Sequence, residues 1–175
     1  DLGLIGDQVN VSIESEIAIE DACCGTSPAE VSVFGYNNNP AISPASLRSS
    51  IKFTNKVNVE TDAKLTIGKN DGKYVDATFE EAVTNNGTLD VLGNAFADFK
   101  KTLTNNKALK LENTTASANN NKAKVADLVN GKNGSITVSK QTTLEAGTTE
   151  NNGNLTIFRD GKIHVRKLPN GHYDY

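Results

Sequence analysis

The residues best placed to do chemistry are four carboxylates in one short stretch, Asp71, Asp76, Glu80 and Glu81, with Lys69 and Lys73 beside them. A β-rich hydrolase or lyase would need acidic side chains of this kind, with a basic partner, on one face. The loop Asn-Asp-Gly-Lys-Tyr-Val-Asp offers Asp71 and Asp76 as calcium candidates. It lacks the ligand spacing and the bidentate glutamate of an EF-hand, so the reading set against it is a solvated turn. Nucleophilic catalysis needs a base next to a serine or cysteine, and the only imidazoles are His164 and His172, both expected on the surface. No catalytic residue is assigned. Cys23 and Cys24 are adjacent; they read as ordinary thiols, since a vicinal disulfide needs a strained ring and no further soft ligand lies near for a metal. Sugar sites rely on exposed aromatics, and Tyr36 and Tyr74 are the candidate sugar contacts, against a packing role for both. No phosphate-loop glycine pattern occurs, and no cofactor is expected.

Composition narrows the partners. With 18 basic and 21 acidic side chains the net charge is −3 without long runs of either sign, which argues against nucleic acid. No apolar run approaches the length of a membrane span. The chain opens at Asp1 and contains no methionine, so it reads as a processed or excised piece whose targeting signal is already gone. Its 175 residues suit a single domain.

The elements that would carry any site follow from a repeated phrase. It runs Val-Thr-Asn-Asn-Gly-Thr-Leu-Asp-Val from Val83, Leu-Thr-Asn-Asn-Lys-Ala-Leu-Lys-Leu from Leu103, and Thr-Glu-Asn-Asn-Gly-Asn-Leu-Thr-Ile from Thr149. Looser copies start at Val57 and Val129. Leu65, Leu89, Leu109, Ile136 and Leu155 are then equivalent positions, at a period that wanders between about 19 and 27 residues, a range typical of stacked units. Pairs such as Leu65 with Ile67 and Leu89 with Val91 alternate with polar residues, as in short half-buried strands.

The expected architecture is all-β: a right-handed parallel β-helix, or solenoid, in which recurrent leucines fill one core and recurrent asparagines ladder their amides from turn to turn. The alternative is an antiparallel β-sandwich, with each Asn-Gly a hairpin turn. Residues 1–50 read as an irregular cap or first coils, 51–158 as degenerate repeats, and 157–175 as a closing hairpin and tail. Asp160-Gly161 is the hairpin signal, and Asn170-Gly171 makes a second turn. Phe96, Phe99 and Leu103 stand at helical spacing and suggest a short helical turn, as does Phe79 to Val83. Asn119, Asn120 and Asn121 mark an exposed loop. The sequons at Asn10, Asn86, Asn113, Asn133 and Asn154 are read as turns.

The Asn-Asn-Gly-Thr-Leu-x-Val phrase resembles the coils of bacterial surface and secreted β-helix proteins of the adhesin or autotransporter-passenger type, over roughly residues 51 to 158. That resemblance implies an extracellular or cell-surface location and a non-catalytic adhesive or structural role, with a glycan or surface protein as partner. Two other functions compete: a carbohydrate-active β-helix enzyme or its accessory domain, and an antiparallel binding module of a larger secreted protein. Oligomeric state is not readable from the sequence.

Overall fold

The computed structural model describes residues 2–5, 10–20, 29–36, 48–115, 121–139 and 141–167. Cys23, Cys24, Asn119, Asn120, His172 and Asn170-Gly171 lie outside the described residues, and so does the side chain of Tyr36. Among the described residues every element is a strand. In chain order they are β1 (Leu2–Ile5), β2 (Asn10–Ile13), β3 (Ile17–Ile19), β4 (Glu30–Tyr36), β5 (Ser49–Phe53), β6 (Val57–Val59), β7 (Lys64–Ile67), β8 (Tyr74–Phe79) and β9 (Val83–Asn85). There follow β10 (Thr88–Leu92), β11 (Asn94–Asn105), β12 (Ala108–Glu112), β13 (Asn121–Asn130), β14 (Ser135–Ser139), β15 (Thr142–Asn151), β16 (Asn154–Ile157) and β17 (Lys162–Lys167).

The chain winds through two sheets as a parallel β-solenoid. One sheet has the order β1-β4-β7-β10-β12-β14-β16, the other β17-β15-β13-β11-β8-β5-β2, with β3, β6 and β9 continuing the second along its length. Each circuit adds one strand to the first sheet and one longer or divided strand to the second. Every pairing is parallel, which removes the antiparallel sandwich. The predicted equivalence holds residue for residue: Leu65 faces Leu89, Leu89 faces Leu109, Leu109 faces Ile136, and Ile136 faces Leu155.

Stacking like on like builds the core. From the first sheet Leu65, Leu89, Leu109 and Ile136 make one buried column, with Ile67, Val91, Leu111 and Val138 beside it. The second sheet answers with Ile51, Ala77, Ala97, Ala123 and Leu144, one register column buried throughout. Next to them Phe53, Phe79 and Phe99 share one register column, their rings stacked at 4.8 and 4.6 Å between centroids and within 8° and 4° of parallel. A spacing near the inter-strand distance of about 4.8 Å lets identical aromatics stack without leaving their rungs.

The Asn-Asn-Gly phrase is the chemistry of one corner. Asn85, Asn105, Asn130 and Asn151 occupy one column, and the first three are fully buried. The Asn85 amide donates to Asn105 Oδ1 at 2.8 Å, Asn105 to Asn130 Oδ1 at 2.8 Å, and Asn130 to Asn151 Oδ1 at 2.7 Å. The same amides also donate across the corner to the backbone carbonyls of Ala108, Ser135 and Asn154. Buried polar groups are tolerated because they are paired in this way. The second residue of the phrase turns the backbone, with Asn86, Asn106 and Asn152 donating their N–H groups to Val59, Asn85 and Asn130 of the preceding rung. At Gly87 a Cβ would collide with the Ala63 and Glu60 carbonyls, and at Gly153 with those of Gly134 and Gly131, so the close approach of rungs demands glycine there.

Four expectations are corrected. Residues 157–165 form no hairpin, because β16 pairs with β14 and β17 with β15, both in parallel. Asp160, at φ 69°, and Gly161 turn a corner between sheets instead. The helical turn at 95–103 is strand β11: Phe99 and Leu103 both face inward as residues four apart on a strand do, while Phe96 stands in the outer column of Asp76 and Lys122. Phe79 and Val83 likewise end β8 and begin β9 across a corner. Asn121 is no exposed loop residue but the buried first residue of β13, its amide donating to the Val91 carbonyl. In residues 1–50, β2, β3 and β4 already pair in register with β5, β6 and β7.

Removing one member of the ladder leaves its neighbours unpaired inside the protein. Asn105→Ala should therefore cost about 2–4 kcal/mol in urea unfolding, whereas Asn152→Ala at the exposed neighbouring position should cost about 0.5 kcal/mol or less. Equal effects at the two positions would show that the ladder contributes nothing specific.

Candidate binding groove

The outer face of the second sheet carries the described groups that come closest to forming a site. Rung stacking sets Asp98 beside Lys124, Lys124 beside Glu145, and Glu145 beside His164, at steps of about 4.8 Å. Next to this column the strands bend. In β11 the register jumps from Phe99 opposite Val125 to Thr102 opposite Asp127, so Lys100 and Lys101 stand against Ala126 alone. Such a bulge leaves a residue outside the ladder and sharpens the local bend. In the next rungs the bend falls at Ala126 and Gly147, and a Cβ on Gly147 would run into the Ala126 carbonyl. Small residues thus floor a groove of about 560 Å³ whose polar lining comes from Asp98, Lys100, Lys124, Glu145 and His164, a volume within the range of ligand sites.

Its charges are mostly matched. Asp98 meets Lys100 at 2.6 Å and Glu145 meets Lys122 at 2.6 Å. The Asp98 hydrogen bond and charge hold the Lys100 ammonium above its ordinary pKa, with a smaller contribution from Glu80. Lys124, exposed between the two carboxylates, forms no ion pair among the described residues. The groove therefore offers one unmatched cation between two carboxylates that act as acceptors, together with an exposed imidazole from His164.

The sequence-predicted candidates go elsewhere. Both carboxylate oxygens of Asp76 are taken by the Arg48 guanidinium, at 3.0 and 2.9 Å from Nε with a further contact from Nη2. That hydrogen bond raises the Arg48 pKa against the effect of its burial. Asp71 accepts from the Lys73 backbone N–H at 3.1 Å within its own turn. Glu80 approaches Lys52 at 3.5 Å. Among the described residues no three His, Cys, Asp or Glu side chains are disposed to hold a metal. Tyr74 is 7% exposed and packs with Arg48 over its ring at 5.2 Å. Tyr36 lies at the end of β4, its backbone in register with Ile5.

The first sheet holds a second polar feature. Lys64 reaches Glu30 at 3.1 Å and the nearly buried Asp90 at 3.3 Å. Burial works against the Lys64 ammonium, but the hydrogen bond to Glu30 and the charge of Asp90 outweigh it, and its pKa stands above the ordinary 10.5. The pair's stabilisation is therefore complete below pH 10.5 and fades as the pH rises through the higher folded value.

No helix among the described residues is long and apolar enough to cross a membrane. No family model, curated protein or solved structure matches the chain.

Two outcomes follow from this electrostatic layout. Millimolar calcium should move the thermal midpoint by less than about 1 °C, because Asp76 is already held by Arg48; a saturable rise would restore Asp71 and Asp76 as ligands. Lys64→Met should cost about 1 kcal/mol near neutral pH, and its deficit relative to the unmodified protein should shrink as the pH passes 10.5 in paired urea titrations.

Proposed function

We propose that the protein is a non-catalytic, adhesin-like β-solenoid of the cell surface or extracellular space, a stiff rod whose outer groove engages a glycan or protein partner. The observation that carries this reading is the pairing of both groove carboxylates with lysines, Asp98 with Lys100 and Glu145 with Lys122. A general acid must be free to reach the bond that breaks, and here each carboxylate is engaged by a lysine ammonium at 2.6 Å. The groove is thus equipped to accept hydrogen bonds and to attract one negative group through Lys124. Continuous aromatic and amide ladders supply the stiffness that a projecting rod needs.

One observation favours a second reading, a carbohydrate-active solenoid enzyme. Asp98 and Glu145 flank Lys124 two rung steps apart, roughly 10 Å at the backbone, near the upper limit for paired carboxylates that work through a water.

A glycan and surface-protein binding screen run beside a polysaccharide depolymerisation assay separates the two. Binding without product is expected, weakened about tenfold, or 1.4 kcal/mol, by Lys124→Glu. Product formation that disappears in Glu145→Gln would overturn the non-catalytic reading.

A further inference from the structure

Among the described residues the large apolar side chains left exposed are gathered at one end of the solenoid. They are Leu155 at 38%, Ile157 at 44% and Phe158 at 56% exposed. Leu155 and Ile157 are the register partners of Ile136 and Val138, which are 2% and 0% exposed. The same kind of side chain in the same column is buried one rung earlier and open here, because no further described rung lies above it. The strands agree: β16 pairs only with β14 and β17 only with β15. The asparagine ladder ends in step, since Asn151 accepts from Asn130 while its own amide finds no acceptor among the described residues.

The opposite end is open in the matching sense. Among the described residues β1, β2 and β3 pair on one side only, with β4, β5 and β6. Val11, Ile13 and Ile17 are only partly buried there. Because all pairing is parallel, the two end edges run in the same direction and share one register. Val11 and Ile163 belong to a single column through Ile51, Ala77, Ala97, Ala123 and Leu144. Ile13 and Val165 belong to the column of the stacked phenylalanines.

We propose that the protein assembles head to tail with copies of itself, the first rung of one molecule adding in parallel to the last rung of another. A translation along the solenoid axis then sets Val11 over Ile163, Ile13 over Val165 and, in the first sheet, Leu2 over Ile157. The contact continues the rung-to-rung interface already made six times within the first sheet. On the outer face the columns of Lys162 and His164 continue into Asn10 and Ser12, so no like charges meet. A second copy is the occupant this edge fits because it brings a parallel rung of the same register. A head-to-tail contact of this type does not close on itself, so it builds an unbranched filament. Open, unpaired strand edges are the general cause of such association.

The test is sedimentation velocity and negative-stain microscopy of the full 175-residue chain over roughly a hundredfold range of concentration. Mass should rise with concentration, with rods lengthening at constant width. Ile157→Lys and Phe158→Lys, at exposed positions, should leave the circular dichroism unchanged and hold the protein monomeric, and Val11→Lys should do the same from the other end. Mixing Ile157→Lys with Val11→Lys should give two-chain particles that grow no further. A monomer at every concentration, as when residues 168–175 of the same chain occupy the edge, would overturn the proposal. So would an unmodified protein that stops at a dimer, or rods that persist in both end-blocked variants.

Discussion

Parallel, in-register stacking at the inter-strand distance is the constraint on which the other features of this molecule depend. Once each rung lies over the last at about 4.8 Å, a residue's principal neighbour is its own counterpart one circuit away. Identical side chains must then be good neighbours. Leucine over leucine satisfies this by burial, phenylalanine over phenylalanine by parallel ring stacking, and asparagine over asparagine by an amide that donates on one side and accepts on the other. A charged residue cannot repeat in a column without repulsion. On the outer face of the second sheet, signs therefore alternate along Asp98, Lys124 and Glu145.

The corners are where this regularity is costly, and the chain meets the cost locally. Buried Asn85, Asn105 and Asn130 pair both along the column and across the turn, so the backbone carbonyls released at the corner are satisfied. Glycine appears where the preceding rung's carbonyl oxygens leave no room for a Cβ, as at Gly87 and Gly153. A polar corner whose amides pair along the column and across the turn fixes the register of the apolar columns on either side. A one-residue slip would carry outward polar residues such as Lys110 and Thr137 into the leucine column and turn the leucines outward.

Variation in coil length shapes the outer surface. The extra residue in β11 and the small residues Ala126 and Gly147 that follow it bend the second sheet and open the groove, while the inward columns pass the bend without losing step. Stability and recognition are thereby divided between faces. The inner columns are restricted to a few residue types, and the outer positions can change with little effect on the stack. This division allows a solenoid to carry a site without strain in its core.

Much of the fold was legible in the sequence because a stacked fold writes its neighbours into the repeat. The equivalence of Leu65, Leu89, Leu109, Ile136 and Leu155 and the laddering of corner asparagines follow from period and residue type. Local signals misled wherever a solenoid element resembles something else: Asp160-Gly161 has the composition of a hairpin turn, and the four-residue step from Phe99 to Leu103 fits a helix as well as a strand. The groove was not legible, since Asp98, Lys124 and Glu145 belong to three different circuits of unequal length, whereas Asp71 and Asp76, close in sequence, are engaged by Lys73 and Arg48. By itself the sequence determined which side chains face inward, because alternation along a strand is local. Only the tertiary structure decided which outward side chains meet, because that depends on how many residues each circuit takes to return.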